Sequence, residues 1–160
     1  MSLSNNSAIP TELLESPSFQ LERLRRRTRD GVEAALATQK TTLREFWVLT
    51  CLVHADAASQ SYLSEILAID ASDMVRLIDA LEERNWAKRE RDPKDRRRQI
   101  VAATKRGAKT QKELATLVLD AENEALDPST DKQLKHLRKL AKSIIAADVE
   151  PDADGTEKES

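Results

Sequence analysis

The sequence predicts a mainly α-helical fold with a small β component: about six helices and one two-stranded antiparallel hairpin. Two observations predict the helices. Apolar residues recur at helical spacing over most of the chain, and only 3 of its 160 residues are glycine, against a typical frequency of about 7%. A third observation predicts the hairpin, because the helical period fails after Trp86 and residues 92–95 are rich in turn formers.

The length suits one domain, or one small domain with helical extensions. No apolar run approaches the roughly 18 residues that a membrane span needs, and the polar N-terminus lacks the apolar stretch of a signal peptide. Cys51 is the single cysteine, which excludes an internal disulfide and fits a reducing compartment. We therefore expect a cytoplasmic protein without a membrane partner.

The net charge of −2 conceals a strong asymmetry along the chain. Residues 84–109 hold eleven Lys/Arg and three Asp/Glu, a net charge of +8, so the remainder carries −10. Such a division predicts one surface that faces a polyanion on an otherwise acidic body.

The N-terminal part predicts a flexible polar tail over residues 1–15 and a helix over residues 16–38. Ser16 is in the position of a helix cap, and Pro17 occupies the first helical position, where proline is favoured. The arginines of this helix are interpreted as a solvated face, although some could reach phosphate.

Four further helix starts follow from capping residues. Thr42 and Glu45 form a capping box at the second helix, which ends near Ala55. Ser59 caps a short third helix, and Asp70 caps a fourth whose apolar residues recur at i, i+3, i+4 and i+7.

Asn85 suits a left-handed C-terminal cap after the fourth helix. Thr104 caps a long fifth helix, which residues 127–129 interrupt, and a sixth helix continues to Ala147. The acidic segment 148–160 has no apolar periodicity and is predicted to be disordered.

The third and fourth helices, joined by residues 68–70, predict a helix-turn-helix. In such a motif the first turns of the second helix reach base edges in the major groove. Arg76 could bind guanine or phosphate, and Ser72 suits a phosphate. The candidate DNA-contacting residues on this helix are Ala71, Ser72, Asp73, Val75 and Arg76.

Asp73 is the exception in this set, because a carboxylate near phosphates weakens binding unless it is paired. Three roles stay open: capping its own helix, accepting a hydrogen bond from a cytosine amino group, or orienting Arg76. Asp73 and Asp79, together with the low overall isoelectric point, also favour an alternative function, a winged-helix module that binds protein and does not bind DNA directly.

The hairpin is interpreted as a wing whose tip presents Lys94, Arg96, Arg97 and Arg98 to DNA. Arginine inserts well into a narrow A·T-rich minor groove, where the negative potential is enhanced. Asp92 and Asp95 are expected to pair with neighbouring arginines and to stiffen the loop. Because Arg98 turns into the return strand, it could instead pair with Asp92 or reach a phosphate.

From Leu43 to about Gly107 the chain resembles the MarR family of winged helix-turn-helix transcriptional regulators. The resemblance rests on LIDALEERN, which is similar to the family's recognition-helix ending, and on DPKDRRRQIVAATKRG, which is similar to its wing. It implies a DNA-binding lobe over residues 42–104 and dimerisation helices over residues 16–38 and 105–147. It further implies a homodimer that binds double-stranded DNA at a pseudo-palindromic operator, as a repressor released by a small aromatic or phenolic molecule.

The resemblance also assigns residues by position. Arg76 is at the recognition-helix arginine, and Asp95 and Arg96 are at the paired Asp-Arg of the wing, with Arg97 beside them. The start of the helix-turn-helix, which tends to meet phosphate, is Ser59, Gln60 and Ser61. The chain departs from the family at four places. Asn85 stands where a glycine is usual, and Trp86 stands where a smaller aliphatic residue is usual. Asp73 and Val75 stand where hydroxyl residues are common, and Arg98 stands where a small residue is common. The operator sequence does not follow from such a pattern.

Other chemistry has little support. Cys51 lies among apolar helix residues and is predicted to be an inert buried thiol. Phe46 and Trp47 could line a ligand pocket, although aromatic residues on an apolar helix face are usually core. His54 and His136 lie on different helices, and the sequence has no phosphate loop, metal-spaced Cys/His set or nucleophile elbow. We therefore expect neither an enzyme nor a bound metal or cofactor.

Overall fold

The fold is described by a computed structural model over residues 8–149, which holds seven helices and three short strands. The elements are α1 (Thr11–Leu14), α2 (Pro17–Ala37), α3 (Leu43–His54), β1 (Ala58–Ser59), α4 (Gln60–Leu67), α5 (Ala71–Glu83), β2 (Ala87–Arg91), β3 (Gln99–Ala103), α6 (Lys105–Ala125) and α7 (Asp131–Val149). No helix in this range is both long enough and apolar enough to cross a membrane.

The N-terminal segment corrects the expectation of a flexible tail and raises the number of helices from six to seven. Helix α1 begins after Pro10, whose carbonyl oxygen accepts hydrogen bonds from the N–H groups of Leu13 (3.0 Å) and Leu14 (3.1 Å). One turn without a buried residue has too few apolar positions to show helical spacing in the sequence. The rest of the expected tail, residues 1–7, lies outside the described residues.

The sheet has three strands in the order β1-β3-β2, and not the two strands that the sequence predicts. Strands β2 and β3 pair antiparallel as the expected hairpin, with Arg89 opposite Val101. The additional strand β1 pairs with the other edge of β3, so that Ala58 lies opposite Val101. Two residues are too few to show an alternating pattern, yet this pairing joins the start of the helix-turn-helix to the wing.

The predicted caps are confirmed at four of the five helix starts. Thr42 and Glu45 form the capping box, and the side chains of Ser59, Asp70 and Thr104 each accept a hydrogen bond from the backbone N–H three residues later. Ser16 is the exception. Its side chain makes no capping hydrogen bond, and its Oγ lies 3.2 Å from Ser18 Oγ.

Asn85 adopts the predicted left-handed conformation, with φ 59°. The N–H of Asn85 donates to the Glu82 carbonyl at 2.9 Å, and the N–H of Trp86 donates to the Leu81 carbonyl at 2.9 Å, which is the Schellman pattern. Asparagine tolerates this conformation better than most residues. Helix α5 therefore ends abruptly, and the chain enters strand β2.

One hydrophobic core joins the expected DNA-binding lobe to the flanking helices. Leu36 of α2, Leu49 of α3, Ile78 of α5 and Leu114 of α6 are all essentially inaccessible to solvent and belong to the same cluster. Trp86 is buried in it as well. The lobe and the helices α2 and α6 are consequently one packed unit.

Helix α7 differs from the other long helices because none of its residues is buried. Four of its large apolar side chains are exposed, namely Leu140, Ile144, Ile145 and Val149, whereas Leu134 and Leu137 are partly buried. The helix continues to Val149, two residues beyond the predicted end at Ala147 and into the segment predicted to be disordered. Residues 150–160 of that segment lie outside the described residues.

Candidate nucleic-acid interface

Helix α5 buries one side and exposes the other, as a recognition helix must. Met74, Ile78 and Leu81 are fully buried beneath it. The opposite face is open to solvent at Ala71, Ser72, Val75 and Arg76. The structure therefore places these four sequence-predicted residues on one accessible surface.

The first turn of α5 is held by Asp70. Its Oδ1 accepts the backbone N–H of Asp73 at 2.9 Å and the hydroxyl of Ser72 at 2.8 Å. The hydrogen bond from the Asp73 backbone, followed by the one from the Ser72 side chain, lowers the pKa of the Asp70 carboxyl. The hydroxyl proton of Ser72 is thus used within the protein, so this side chain meets a phosphate only by leaving Asp70.

Asp73 is paired in a way that the sequence did not reveal. Its Oδ2 lies 3.5 Å from Nη1 of Arg44, which is the second residue of α3. Both side chains are about half exposed. Of the three roles left open by the sequence, capping belongs to Asp70, and the ion pair of Asp73 is with Arg44 and not with Arg76.

The N-terminus of α4 contributes a second group of polar residues. Ser59 Oγ accepts the N–H of Tyr62 at 3.2 Å, and Gln60 Nε2 lies 3.5 Å from the Ala71 carbonyl oxygen. Ser61 is exposed. Tyr62 is 50% exposed and adds an aromatic ring with a hydroxyl beside these serines. No motif in the sequence marks this residue.

The wing tip is stiffened by its aspartates, but not through the arginines as expected. Asp92 Oδ1 accepts the backbone N–H of Lys94 at 2.9 Å, and Asp95 Oδ1 accepts that of Arg97 at 3.0 Å. Aspartate is short enough to reach the backbone two residues ahead, which makes this local contact easier than an ion pair with a long arginine. The backbone N–H of Asp92 donates to the Arg98 carbonyl at 2.9 Å and closes the loop.

The four basic residues of the tip, Lys94, Arg96, Arg97 and Arg98, are all exposed. Within the described part of the chain none of them forms an ion pair. Arg91 Nη1 donates to the Arg96 carbonyl at 2.9 Å, which ties the end of β2 to the tip. The guanidinium groups therefore extend from an ordered loop with their charges uncompensated by protein.

Arg89 joins the wing to the recognition helix, and the sequence reading did not single it out. Its guanidinium contacts Asp79 Oδ1 at 2.7 Å, Glu82 Oε1, and the Val75 carbonyl oxygen at 3.4 Å. Its side chain is only 19% exposed. A planar guanidinium can bind several acceptors at once, so Arg89 sets the position of β2 relative to α5.

A cavity of about 370 Å³ lies between α2, α3 and α6. Both residues proposed from the sequence line it, the buried Phe46 and the 41% exposed Trp47. The rest of the lining combines apolar and charged side chains, namely Arg25, Thr28, Arg29, Val32, Glu33, Leu43, Arg44, Val118 and Glu122. Burial raises the pKa of the Glu122 carboxyl, and the charge of Arg138 partly opposes this shift.

Cys51 lies half-buried on α3, and burial raises the pKa of its thiol, which disfavours the reactive thiolate. Residues 8–149 contain no group of three or more His, Cys, Asp or Glu side chains that could hold a metal ion.

The helix-turn-helix α4–α5 and the β2–β3 hairpin beside it define a winged helix-turn-helix protein. The MarR family model matches residues 41–98, and solved MarR-family regulators share the fold of the chain. Residues 41–98 therefore match the MarR family, and the chain has the fold of MarR-family transcriptional regulators, which confirms the resemblance that the wing and recognition-helix segments indicated.

Three solved structures illustrate the likeness. A MarR-family transcriptional regulator from Rhodococcus sp. RHA1 is 26% identical, with a TM-score of 0.75 over 80% of this chain and 91% of that one. CouR from Rhodococcus jostii RHA1, solved with p-coumaroyl-CoA, is also 26% identical, with a TM-score of 0.74 over 85% and 96%. A mutant of MarR from E. coli in complex with operator DNA is 23% identical, with a TM-score of 0.70 over 79% and 91%. No curated protein sequence matches the chain.

Proposed function

We propose that the chain is a sequence-specific DNA-binding regulator of transcription, which acts in the cytoplasm as a homodimer on a pseudo-palindromic operator. The observation that carries this proposal is the ordered, uncompensated basic wing tip next to the exposed face of α5. A repressor role, with release by a small ligand, follows the pattern that the family resemblance implies.

The DNA-binding surface combines two elements that approach DNA differently. The proposed base-reading face is the N-terminal part of α5, and the proposed groove or phosphate contacts are made by the wing tip and by the start of α4. Arg89 supports this arrangement because it holds the wing strand against α5. The complex of E. coli MarR with operator DNA shows that the shared fold can bind DNA.

A second copy of the chain is the proposed partner of α7. Exposed Leu140, Ile144 and Ile145 are too apolar for a helix that faces only water. Leu21 of α2 is also exposed, at 61%. Packing these helices against a second copy would bury both sets and would supply two recognition helices for a two-fold operator.

The cavity between α2, α3 and α6 is the proposed effector site. Its volume suits a small aromatic molecule, and Phe46 and Trp47 offer ring faces for it. The solved complex of CouR with p-coumaroyl-CoA supports a ligand that contains a phenolic ring. The cavity lies between the proposed dimerisation helices and the lobe, so an occupant could affect both.

The alternative, a protein-binding winged helix, loses support from one of the two observations that favoured it, the acidic residues of α5. Asp73 is paired with Arg44, and Asp79 is paired with Arg89. The exposed face of α5 is therefore less acidic than its sequence suggests.

The decisive experiment titrates the protein with genomic DNA fragments by fluorescence anisotropy at several salt concentrations. A binder that neutralises phosphates releases counterions, so the logarithm of its association constant falls linearly with the logarithm of the salt concentration. We expect a steep negative slope for the preferred fragment and much weaker binding to the others. Absence of salt-dependent binding to any fragment would refute the proposed function.

Substitutions at the wing tip test the site itself. Arg96→Ala and Arg97→Ala should each weaken operator binding by about 5- to 150-fold, because an arginine contact to DNA contributes about 1–3 kcal/mol. Thermal melting should remain unchanged, since both side chains are exposed. Arg106→Ala is the matched control: it removes one exposed guanidinium from the same basic segment but from the start of α6. Equal losses in all three variants would mean that net charge, and not the wing, accounts for binding.

A further inference from the structure

Asp73 places a negative charge where the proposed interface should be positive. Its carboxylate lies on the first turn of α5, next to the exposed Ser72 and Arg76. The phosphate backbone would repel it, and the Arg44 guanidinium at 3.5 Å is what offsets its charge. Arg44 therefore contributes to the charge of the recognition helix from outside that helix.

Arg44 also lines the cavity between α2, α3 and α6. The same residue lines a second, smaller depression, together with Asp73 and Arg76. Arg44 consequently lies between the cavity and the recognition helix, with its guanidinium on Asp73. Trp47, one helical turn further along α3, lines the cavity as well.

The charges around the cavity favour an anion. Three arginines line it, Arg25, Arg29 and Arg44, of which Arg25 is also paired with the exposed Glu22 at 3.4 Å. Two carboxyl groups oppose them, but Glu33 Oε1 already accepts the backbone N–H of Leu43 at 3.2 Å. Burial favours the neutral form of the other, Glu122. The ring of an aromatic carboxylate could pack against Phe46 and Trp47, and its carboxylate could bind an arginine of the cavity wall.

We propose that Arg44 is a regulatory residue shared by the cavity and the recognition helix, and that an anionic ligand in the cavity draws its guanidinium away from Asp73. The freed carboxylate then repels DNA and the regulator dissociates. This inference rests on the proposed DNA-binding function and names the contact through which a ligand would act.

The exposure of the pair suits such a switch. Half-exposed ion pairs are weak, so a carboxylate in a less hydrated cavity can compete for the guanidinium. Coupling between two sites is reciprocal. If the ligand weakens the Arg44–Asp73 ion pair by some factor, the ion pair weakens ligand binding by the same factor. A substitution that removes the charge of Asp73 should therefore strengthen ligand binding by that factor.

A double-mutant cycle on DNA affinity tests the first half. Arg44→Gln should weaken operator binding about three- to tenfold, whereas the same substitution in an Asp73→Asn background should have almost no effect. A loss of equal size in both backgrounds would show that Arg44 contacts DNA directly and would overturn the proposal. The proposal would also be overturned if Arg44→Gln caused no loss of operator binding in the otherwise wild-type protein. Thermal melting of each variant confirms that it is folded.

Benzoate is the probe for the second half, with benzamide as its uncharged control. Trp47 fluorescence without DNA should show that benzoate binds the wild type and binds Asp73→Asn about three- to tenfold more tightly, and that benzamide binds both variants equally. Benzoate should weaken operator binding by the wild type but not by Asp73→Asn.

Equal benzoate affinity of the two proteins, or no benzoate binding at millimolar concentration, would overturn the inference. Because this readout needs no DNA, it separates failure of the switch from failure of the proposed function, which would show as absent DNA binding by the wild type.

Discussion

Ala68 has an unusual backbone for its residue type. It holds φ 51° and ψ 46° at the end of α4, where the N–H of Ile69 donates to the Ser64 carbonyl at 3.0 Å. Left-handed backbone costs an L-residue with a Cβ about 1–2 kcal/mol. The turn of the helix-turn-helix therefore carries a local strain that a glycine would not have.

Ala68→Gly should stabilise the protein by about 0.5–1 kcal/mol, because glycine adopts this conformation without the steric cost. The melting temperature should rise by about 1–4 °C for a chain of this length. The matched control is Ala34→Gly, the same change at an exposed position of α2. It should lower the stability by about 0.5–1 kcal/mol. A fall in melting temperature for Ala68→Gly would contradict the conformation described for this turn.

At the scale of residues, contacts between neighbours in the sequence could be predicted, whereas contacts between different elements could not. The caps at Thr42, Ser59 and Asp70 could be predicted because each depends on a backbone N–H three residues away. The pairs Arg44–Asp73 and Arg89–Asp79 join different elements, so no local pattern shows them. The expected ion pairs of Asp92 and Asp95 with arginines are replaced by hydrogen bonds from backbone N–H groups. The sequence could not decide between them, because each aspartate has both an arginine and a backbone N–H close by in the chain.

At the scale of elements, the wing and α6 meet at a close backbone contact. The Trp86 carbonyl oxygen accepts the N–H of Thr104 at 3.0 Å, and Thr104 in turn caps α6. A Cβ on Gly107 would lie 1.9 Å from that carbonyl oxygen and 2.8 Å from its carbon. The chain therefore requires glycine at this position of the first helical turn.

Gly107→Ala should destabilise the protein by about 1–3 kcal/mol, because the backbone at Trp86 must move to admit the methyl group. Chemical denaturation would measure the loss. Lys109→Ala, an exposed change on the same helix, should fall within about 0.5 kcal/mol of the wild type. Equal stability of Gly107→Ala and the wild type would contradict the close contact.

The elements themselves were predictable where they are long. The apolar spacing of α5 and the turn formers at residues 92–95 placed the recognition helix and the wing correctly. Strand β1 and helix α1 were missed because two and four residues are too short to show a period. The third strand is stabilised by its pairing with β3, which is a tertiary interaction.

At the scale of the whole molecule, no residue of α7 is buried by the other residues that the structure describes, and the oligomeric state can be measured directly. Light scattering should give about twice the chain mass of 18.0 kDa at micromolar concentration. Ile144→Lys, which puts a charge on the exposed apolar stripe, should shift the mass toward one chain and weaken operator binding. Lys142→Ala on the same helix should leave the mass unchanged. A single-chain mass for the wild type would contradict the proposed dimer.

The shared core has a consequence for operator geometry. Because Leu36 and Leu114 pack in one cluster with Ile78, the reading helix cannot pivot without carrying α2 and α6 with it. In a two-fold dimer the two recognition helices would therefore be held at a fixed distance and orientation from each other. Inserting one base pair between the half-sites would rotate one half-site by about a tenth of a turn relative to the recognition helix that binds it. Such a regulator should tolerate base changes within a half-site better than changes in half-site spacing.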